Sequence, residues 1–198
     1  MLAHLILAAG SSSRLGTEKQ LLPWNHKSLM QHAVAESLKL KTVKTFVVLG
    51  FNAAIIRKEI KDKDVVIIEN QNWDRGIGSS ISYGIENISK NANFDGVLIS
   101  LVDQPLLDCH YLQKMIICFR KDLTRPVATK YKLKLGVPAV FPTSYIQKLI
   151  GLQGDEGAKR ILNTADLVET IEADGLHMDI DTKEDYEKVK NVKGNSNN

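Results

Sequence analysis

The chain is poor in the features that mark secreted, membrane-spanning or polyelectrolyte proteins. It has two cysteines among 198 residues, Cys109 and Cys118. Nine positions apart, they give neither a disulfide framework nor a zinc-ligand spacing, which points to a reducing compartment, the cytoplasm. Long hydrophobic runs are also lacking: Phe46 to Leu49 and Val97 to Ile99 fall far short of the roughly 18 apolar residues of a membrane helix. The apolar opening, Met1 to Gly10, has no Lys or Arg ahead of it, so it reads as a buried strand and not as a signal peptide. An excess of one charge is missing too, because 26 Lys and Arg face 23 Asp and Glu for a net +3. Neither a nucleic-acid groove nor an anionic membrane follows from that balance, and any basic group that matters must act locally.

What the chain does have is 43% apolar and 25% charged residues, enough apolar surface to offset the entropy of ordering a core. Its length fits one domain, expected over residues 1–190. The segment from Asn191, Asn-Val-Lys-Gly-Asn-Ser-Asn-Asn, has nothing to pack and is expected to be a disordered tail over 191–198. Four nearly all-apolar runs, Leu2 to Ala8, Thr45 to Gly50, Val65 to Glu69 and Val97 to Val102, read as strands. Continuous apolar strands belong to a sheet covered on both faces, hence a mostly parallel sheet with crossover helices, a three-layer α/β/α architecture. Helical stripes supply the covers: Leu29, Met30, Ala33, Val34 and Leu38; Ile77, Ile81, Ile85 and Ile88; Leu112, Met115, Ile116 and Phe119. Beyond residue 125 the pattern predicts short strands near 126–130 and 138–141, a helix over about 155–164 and a strand near 167–171. A last helix is announced by Thr182 and Asp185 at capping-box spacing.

Three places carry chemistry. The turn after the first strand, residues 7–19, combines small residues with Arg14 and Lys19, a combination that cradles anions because backbone amides can approach closely. It matches neither a P-loop nor a Gly-x-Gly-x-x-Gly turn; the alternative is a Gly/Ser loop with solvated cations. Asp103 stands at the carboxyl end of an apolar strand, where open α/β sheets bind ligands and where a carboxylate can hold a hard cation against phosphate. Its alternative is a turn former ahead of Pro105. Asp179 and Asp181 project from one face of an extended segment, or are simply solvated acids at a helix start. The histidines, His4, His26, His32, His110 and His177, show no ligand spacing and read as structural or solvated, and Lys39, Lys41 and Lys44 read as a solvated face. Trp73 could flank a cleft or pin its loop, the latter being the reading preferred.

Leu-Ala-Ala-Gly-x-Ser-x-Arg-Leu-Gly-x-x-Lys-x-Leu-Leu-Pro at 7–23 resembles the opening of the nucleotidyltransferases with a Rossmann-like fold of the nucleotide-diphospho-sugar transferase type. Further motifs in order, Asn70-x-x-Trp73-x-x-Gly76-x-x-x-Ser80, Asp103-Gln104-Pro105, Gly154-Asp155-x-Gly157-Ala158 and Asp179-Ile180-Asp181-Thr182, are similar to the molybdenum-cofactor cytidylyltransferase group. The resemblance implies that Ala8, Ala9 and Gly10 wrap base and ribose, with Ser80 helping to hold the base. It implies Ser11, Ser12, Ser13 and Arg14 around the β and γ phosphates, Lys19 against the α-phosphate, and Mg²⁺ on Asp103 and Asp181. Ala-Ala-Gly in the first loop favours CTP, where guanylyl-transferring relatives tend to have Ala-Gly-Gly.

The implied reaction moves CMP from CTP to the terminal phosphate of molybdopterin or molybdenum cofactor, with a molybdoenzyme as possible client. A phosphate needs no Ser/His/Asp arrangement to become a nucleophile, so positioning and charge neutralisation suffice. Lys19, Arg14 and Asp103 are then the catalytic set. One departure stands out: the family's Gly-His-Pro is Gly136-Val137-Pro138 here, which bears on the acceptor. Gly154 to Ala158 could open a helix toward the acceptor phosphate or be an ordinary capped helix. Two rivals remain: cytidylyl or uridylyl transfer to a sugar or polyol phosphate, and a cofactor-binding maturation factor without turnover, against which the joint presence of Lys19, Arg14 and Asp103 argues.

Overall fold

The computed structural model describes residues 1–12, 14–91, 93–132, 134–173, 175–176 and 178–195. In chain order the strands are β1 (Leu2–Ala8), β2 (Pro23–Trp24), β3 (Lys27–Ser28), β4 (Val43–Leu49), β5 (Val66–Glu69), β6 (Gly96–Leu101), β7 (Val127–Tyr131), β8 (Lys134–Pro142) and β9 (Glu169–Glu172). The helices are α1 (Leu29–Leu38), α2 (Ala53–Ile60), α3 (Ile77–Asn91), α4 (Cys109–Phe119), α5 (Ile146–Ile150), α6 (Lys159–Asn163) and α7 (Lys183–Asn195).

One sheet runs β5-β4-β1-β6-β8-β7-β9. From β5 to β6 every neighbour is parallel, β8 is antiparallel to both β6 and β7, and β9 is parallel to β7. The Rossmann-like, mostly parallel α/β fold expected from the apolar strands is therefore present. Every residue of β1 is buried, because alternate side chains enter opposite layers. Ala3, Leu5 and Leu7 pack with Ile81, Ile85 and Ile88 of α3 and with Leu149, Ile161 and Leu162, whereas Ile6 and Ala8 pack with α1, α2 and Val189 of α7. Helix α4 covers the neighbouring part of the sheet through Leu112, Met115, Ile116 and Phe119.

The stripes expected over 29–38, 77–88 and 112–119 are α1, α3 and α4. Helix α1 starts with a capping box in which Ser28 and Gln31 satisfy each other's backbone amides. Helix α7 starts the same way: Thr182 Oγ1 accepts from Asp185 N and Asp185 Oδ2 from Thr182 N, both at 3.1 Å.

Two expectations change. The helix foreseen over 155–164 is only Lys159–Asn163, because Gly154 has φ of 57° and its carbonyl accepts from Gly78 N at 2.8 Å, so residues 154–158 are turn. The tail foreseen from Asn191 is not where the helix stops: α7 continues through Asn195, anchored by buried Val189. Residues 196–198 lie outside the described residues. Among the described residues, no helix is long and apolar enough to cross a membrane.

Candidate active site

Because β1, β4 and β6 are parallel, their carboxyl ends share one edge, and the segments that follow them build a cleft of about 330 Å³. The turn after β1, Ala8 to Ser11, lines it together with Trp73, Ile77, Ser80, Lys19 and Asp103. The turn is fixed by groups from elsewhere. Buried Gln20 donates its amide to the carbonyls of Ala8 at 2.8 Å and Gly10 at 3.0 Å, and Phe51 N donates to Ala9 O at 3.0 Å. Gly50 makes room for Trp73: a Cβ there would lie 2.4 Å from that of Trp73. Trp73 in turn meets Phe51 edge-on at 5.3 Å, so it pins its loop and also walls the cleft.

The ionic centre is Lys19. Its ammonium lies 2.8 Å from Asp103 Oδ2 and 2.9 Å from Asp181 Oδ1. The chain supports this geometry from both sides. Lys19 N donates to Ser12 Oγ at 3.1 Å, and Ile180 N donates to Asp103 O at 3.0 Å, which ties the 179–181 segment to the residue following β6. Burial of the Lys19 ammonium favours its neutral form, but the two carboxylates outweigh that and raise its pKa above the usual value. Burial raises the Asp103 carboxyl above its ordinary range, and the Lys19 ammonium draws it part of the way back.

The carboxylates also fit a hard divalent cation. Asp103 Oδ1 is buried with no hydrogen-bond partner among the described residues, which is rare for a buried carboxylate oxygen. Among the described residues there is no cluster of three or more His, Cys, Asp or Glu suited to a metal, but the Asp103 and Asp181 carboxylates converge on one point, the Lys19 ammonium. That matches Mg²⁺, which is usually bound through one or two carboxylates together with substrate phosphates and water.

The other expected residues fall as follows. Ala8, Ala9, Gly10, Ser11 and Ser80 line the cleft, and Ser80 Oγ accepts from Asn70 Nδ2 at 3.1 Å. Ser12 lies behind Lys19, in a positive-φ conformation of 54°. Arg14 is exposed, is not part of the cleft wall, and forms no ion pair among the described residues. Ser13 lies outside the described residues, as does His177. Asp179 does not reach Lys19; its Oδ1 accepts from Gln104 Nε2 at 2.8 Å. The segment after Gly154 is turn and offers no helix N-terminus, although Asp155 borders the cleft. His4 is a core histidine, hydrogen-bonded to Ser37 Oγ at 2.6 Å and Ser100 Oγ at 2.7 Å. Lys39 pairs with Glu36 at 2.5 Å. Sequence reasoning missed Gln20 and the contacts of Gln104, since a lone glutamine beside a motif has no periodicity to mark it.

With the cleft and its ionic centre in view, the comparison with known proteins decides the family. Residues 4–170 match the MobA-like NTP transferase domain. The chain belongs to that family. The family match bears out the likeness to the molybdopterin nucleotidyltransferase-like group and makes the protein a nucleotidyltransferase acting on a nucleoside triphosphate. Among similar sequences, purine catabolism protein PucB of Bacillus subtilis (strain 168) is 26% identical over 200 residues, 96% of this chain and 96% of PucB. Nicotine blue oxidoreductase of Paenarthrobacter nicotinovorans is 28% identical over 190 residues, 91% of this chain and 92% of that protein. Among solved structures, Rv0371c of Mycobacterium tuberculosis H37Rv superposes with a TM-score of 0.81 at 25% identity, covering 96% of this chain and 98% of that one.

Proposed function

We propose that this MobA-like protein is a cytoplasmic cytidylyltransferase that moves CMP from CTP to the terminal phosphate of molybdopterin or molybdenum cofactor and releases pyrophosphate. The observation that carries the reading is the Lys19 ammonium between Asp103 and Asp181, with Lys19 and Asp103 lining the same nucleotide-sized cleft as the Ala8–Gly10 turn. An acceptor phosphate oxygen attacks the α-phosphorus, a new P–O bond forms, and the bond to the β-phosphate oxygen breaks. Ala8, Ala9, Gly10 and Ser80 orient the nucleoside, with Asn70 fixing the Ser80 hydroxyl. Lys19 leaves its carboxylates to neutralise charge developing on the α-phosphate, and Ser11, Ser12, Ser13 and Arg14 attend the β and γ phosphates. Exposed Arg14 must swing in from its turn to do so. Asp103 and Asp181 would hold Mg²⁺, which supplies charge neutralisation at the phosphates when bound. The preference for CTP rests on Ala8-Ala9-Gly10.

The test is pyrophosphate release with each nucleoside triphosphate in Mg²⁺, with and without molybdenum cofactor. Release with CTP and cofactor together is expected. Release only with a sugar or polyol phosphate would replace the acceptor, and nucleotide binding without any release would make the protein a carrier.

A further inference from the structure

Gln20 is a buried polar group in the lining of the cleft with no part in the transfer chemistry proposed above. It is 1% exposed, follows directly on Lys19 in the short helical turn Lys19–Leu21, and borders the cleft as Lys19 does. Its amide nitrogen donates to the carbonyls of Ala8 at 2.8 Å and Gly10 at 3.0 Å, so both amide hydrogens are spent on the turn after β1. These two bonds also fix which way the amide points, since a carbonyl oxygen can only accept and the nitrogen must face it. The Ala9 carbonyl accepts from Phe51 N at 3.0 Å, so all three carbonyls of the turn are engaged. The other end of the Gln20 amide is not: Oε1 is buried with no hydrogen-bond partner among the described residues. A buried acceptor without a donor is uncommon in a folded protein, and beside a cleft it is the kind of group a ligand satisfies.

We propose that Gln20 Oε1 accepts a hydrogen bond from a ribose hydroxyl of the bound nucleotide, and that this contact makes the site select ribonucleotides over deoxyribonucleotides. In a nucleoside triphosphate the ribose lies between the base and the α-phosphate. Gln20 holds the same intermediate place in the protein. Through Nε2 it grips the turn assigned to the nucleoside, and its chain neighbour Lys19 is the group assigned to the α-phosphate. Oε1 can only accept, and a ribose offers two hydroxyls that can donate. A deoxyribose lacking the matching hydroxyl would leave Oε1 buried and unpaired in the complex, and a site built around such a contact rejects the analogue without it. One side chain thus shapes the turn with its nitrogen and reads the sugar with its oxygen. The inference rests on the nucleotide-binding reading of the cleft, and it is independent of the acceptor and of the base.

The test is calorimetric binding of CTP, 2′-deoxy-CTP and 3′-deoxy-CTP to the full chain in Mg²⁺ without any acceptor, with GTP and its two deoxy forms alongside. At least one deoxy form should bind wild type about tenfold more weakly than its ribonucleotide. Gln20→Met keeps the length of the side chain but loses donors and acceptor. It should weaken every nucleotide and bring the ribo-to-deoxy ratio to within about twofold of unity. Gln20→Lys keeps donors for the Ala8 and Gly10 carbonyls and loses only the acceptor, so it should lose the ratio while holding the deoxy form about as tightly as wild type does. A glutamine that only supports the turn would weaken ribo and deoxy forms by the same factor in Gln20→Met and leave the ratio as in wild type; that result overturns the proposal. Equal binding of ribo and deoxy forms by wild type also overturns it and leaves the nucleotide reading of the cleft standing. A chain that binds no nucleoside triphosphate overturns both. A ratio that survives in both variants while the preference between CTP and GTP collapses puts Oε1 against the base and overturns the sugar contact.

Discussion

A lysine ammonium between two carboxylates can be disturbed from either side, and the two disturbances separate charge stabilisation from metal holding. Asp103→Ala removes the buried carboxylate and should abolish Mg²⁺-dependent turnover while circular dichroism stays native; full activity in that variant would overturn the site. Lys19→Ala should lower kcat by about 10² to 10³, the usual cost of losing one preorganised group at a developing charge. A change confined to KM would make Lys19 a binding residue only. His4 offers a different measurement. It is 1% exposed, both ring nitrogens face hydroxyls, and burial holds its pKa down at about 3. The unfolded chain, with an ordinary histidine near 6.5, binds the proton first, so His4 contributes its full stability above pH 6.5 and loses it progressively down to pH 3. The unfolding free energy from urea titrations should fall between pH 6 and 4 with a slope of up to about 1.4 kcal/mol per pH unit from this residue, and His4→Gln should flatten that slope. Residue identities made Lys19 and Asp103 legible as candidates. That their charges meet was not, since 84 positions separate them in the chain.

At the level of elements, α4 is started by its own N-cap and by one contact from outside its own turn of chain. Asp108 Oδ1 accepts from His110 N and Tyr111 N, both at 3.0 Å, and Glu36 of α1 reaches across to accept from Cys109 N at 3.0 Å. Asp108→Ala should cost about 1 kcal/mol, the usual value of an N-cap, read as a lower urea midpoint with turnover at 25 °C retained. Apolar periodicity made α1, α3 and α4 legible because each buries one continuous stripe on the sheet. Helix α2 escaped it: Asn52, just before its start, is left-handed at φ 50°, and Ile55 within it is exposed, so cap and stripe signals are both blurred. The 154–158 segment misled for a tertiary reason. Its Gly154 carbonyl is taken by Gly78 on another element, and residues committed to such a contact cannot also begin a helix.

At the level of the molecule, cleft and ionic centre are assembled from the ends of β1 and β6, the 19–21 turn and the segment before α7, so ligand binding should stabilise the whole. CTP with Mg²⁺ at about 100 times its Kd should add about 2.7 kcal/mol, roughly 5–10 °C in Tm for a chain of this size. Adding EDTA should remove most of that shift; an equal shift without metal would show that the carboxylates hold no cation. The sequence by itself determined the parallel core, through all-apolar strands that must be covered on both faces, and it determined the chemistry-bearing turn through its small residues and flanking cations. It could not determine which carboxylate Lys19 pairs with, that Arg14 stays outside the cleft, or that Gln20 and Gln104 are buried and hydrogen-bonded to the Ala8–Gly10 turn and to Asp179. Hydrophobic pattern is a local property, repeated every two or three to four residues and readable along the chain. Ion pairs and single hydrogen bonds across 75 to 162 positions depend on where separate elements end in space, and only the packed sheet decides that.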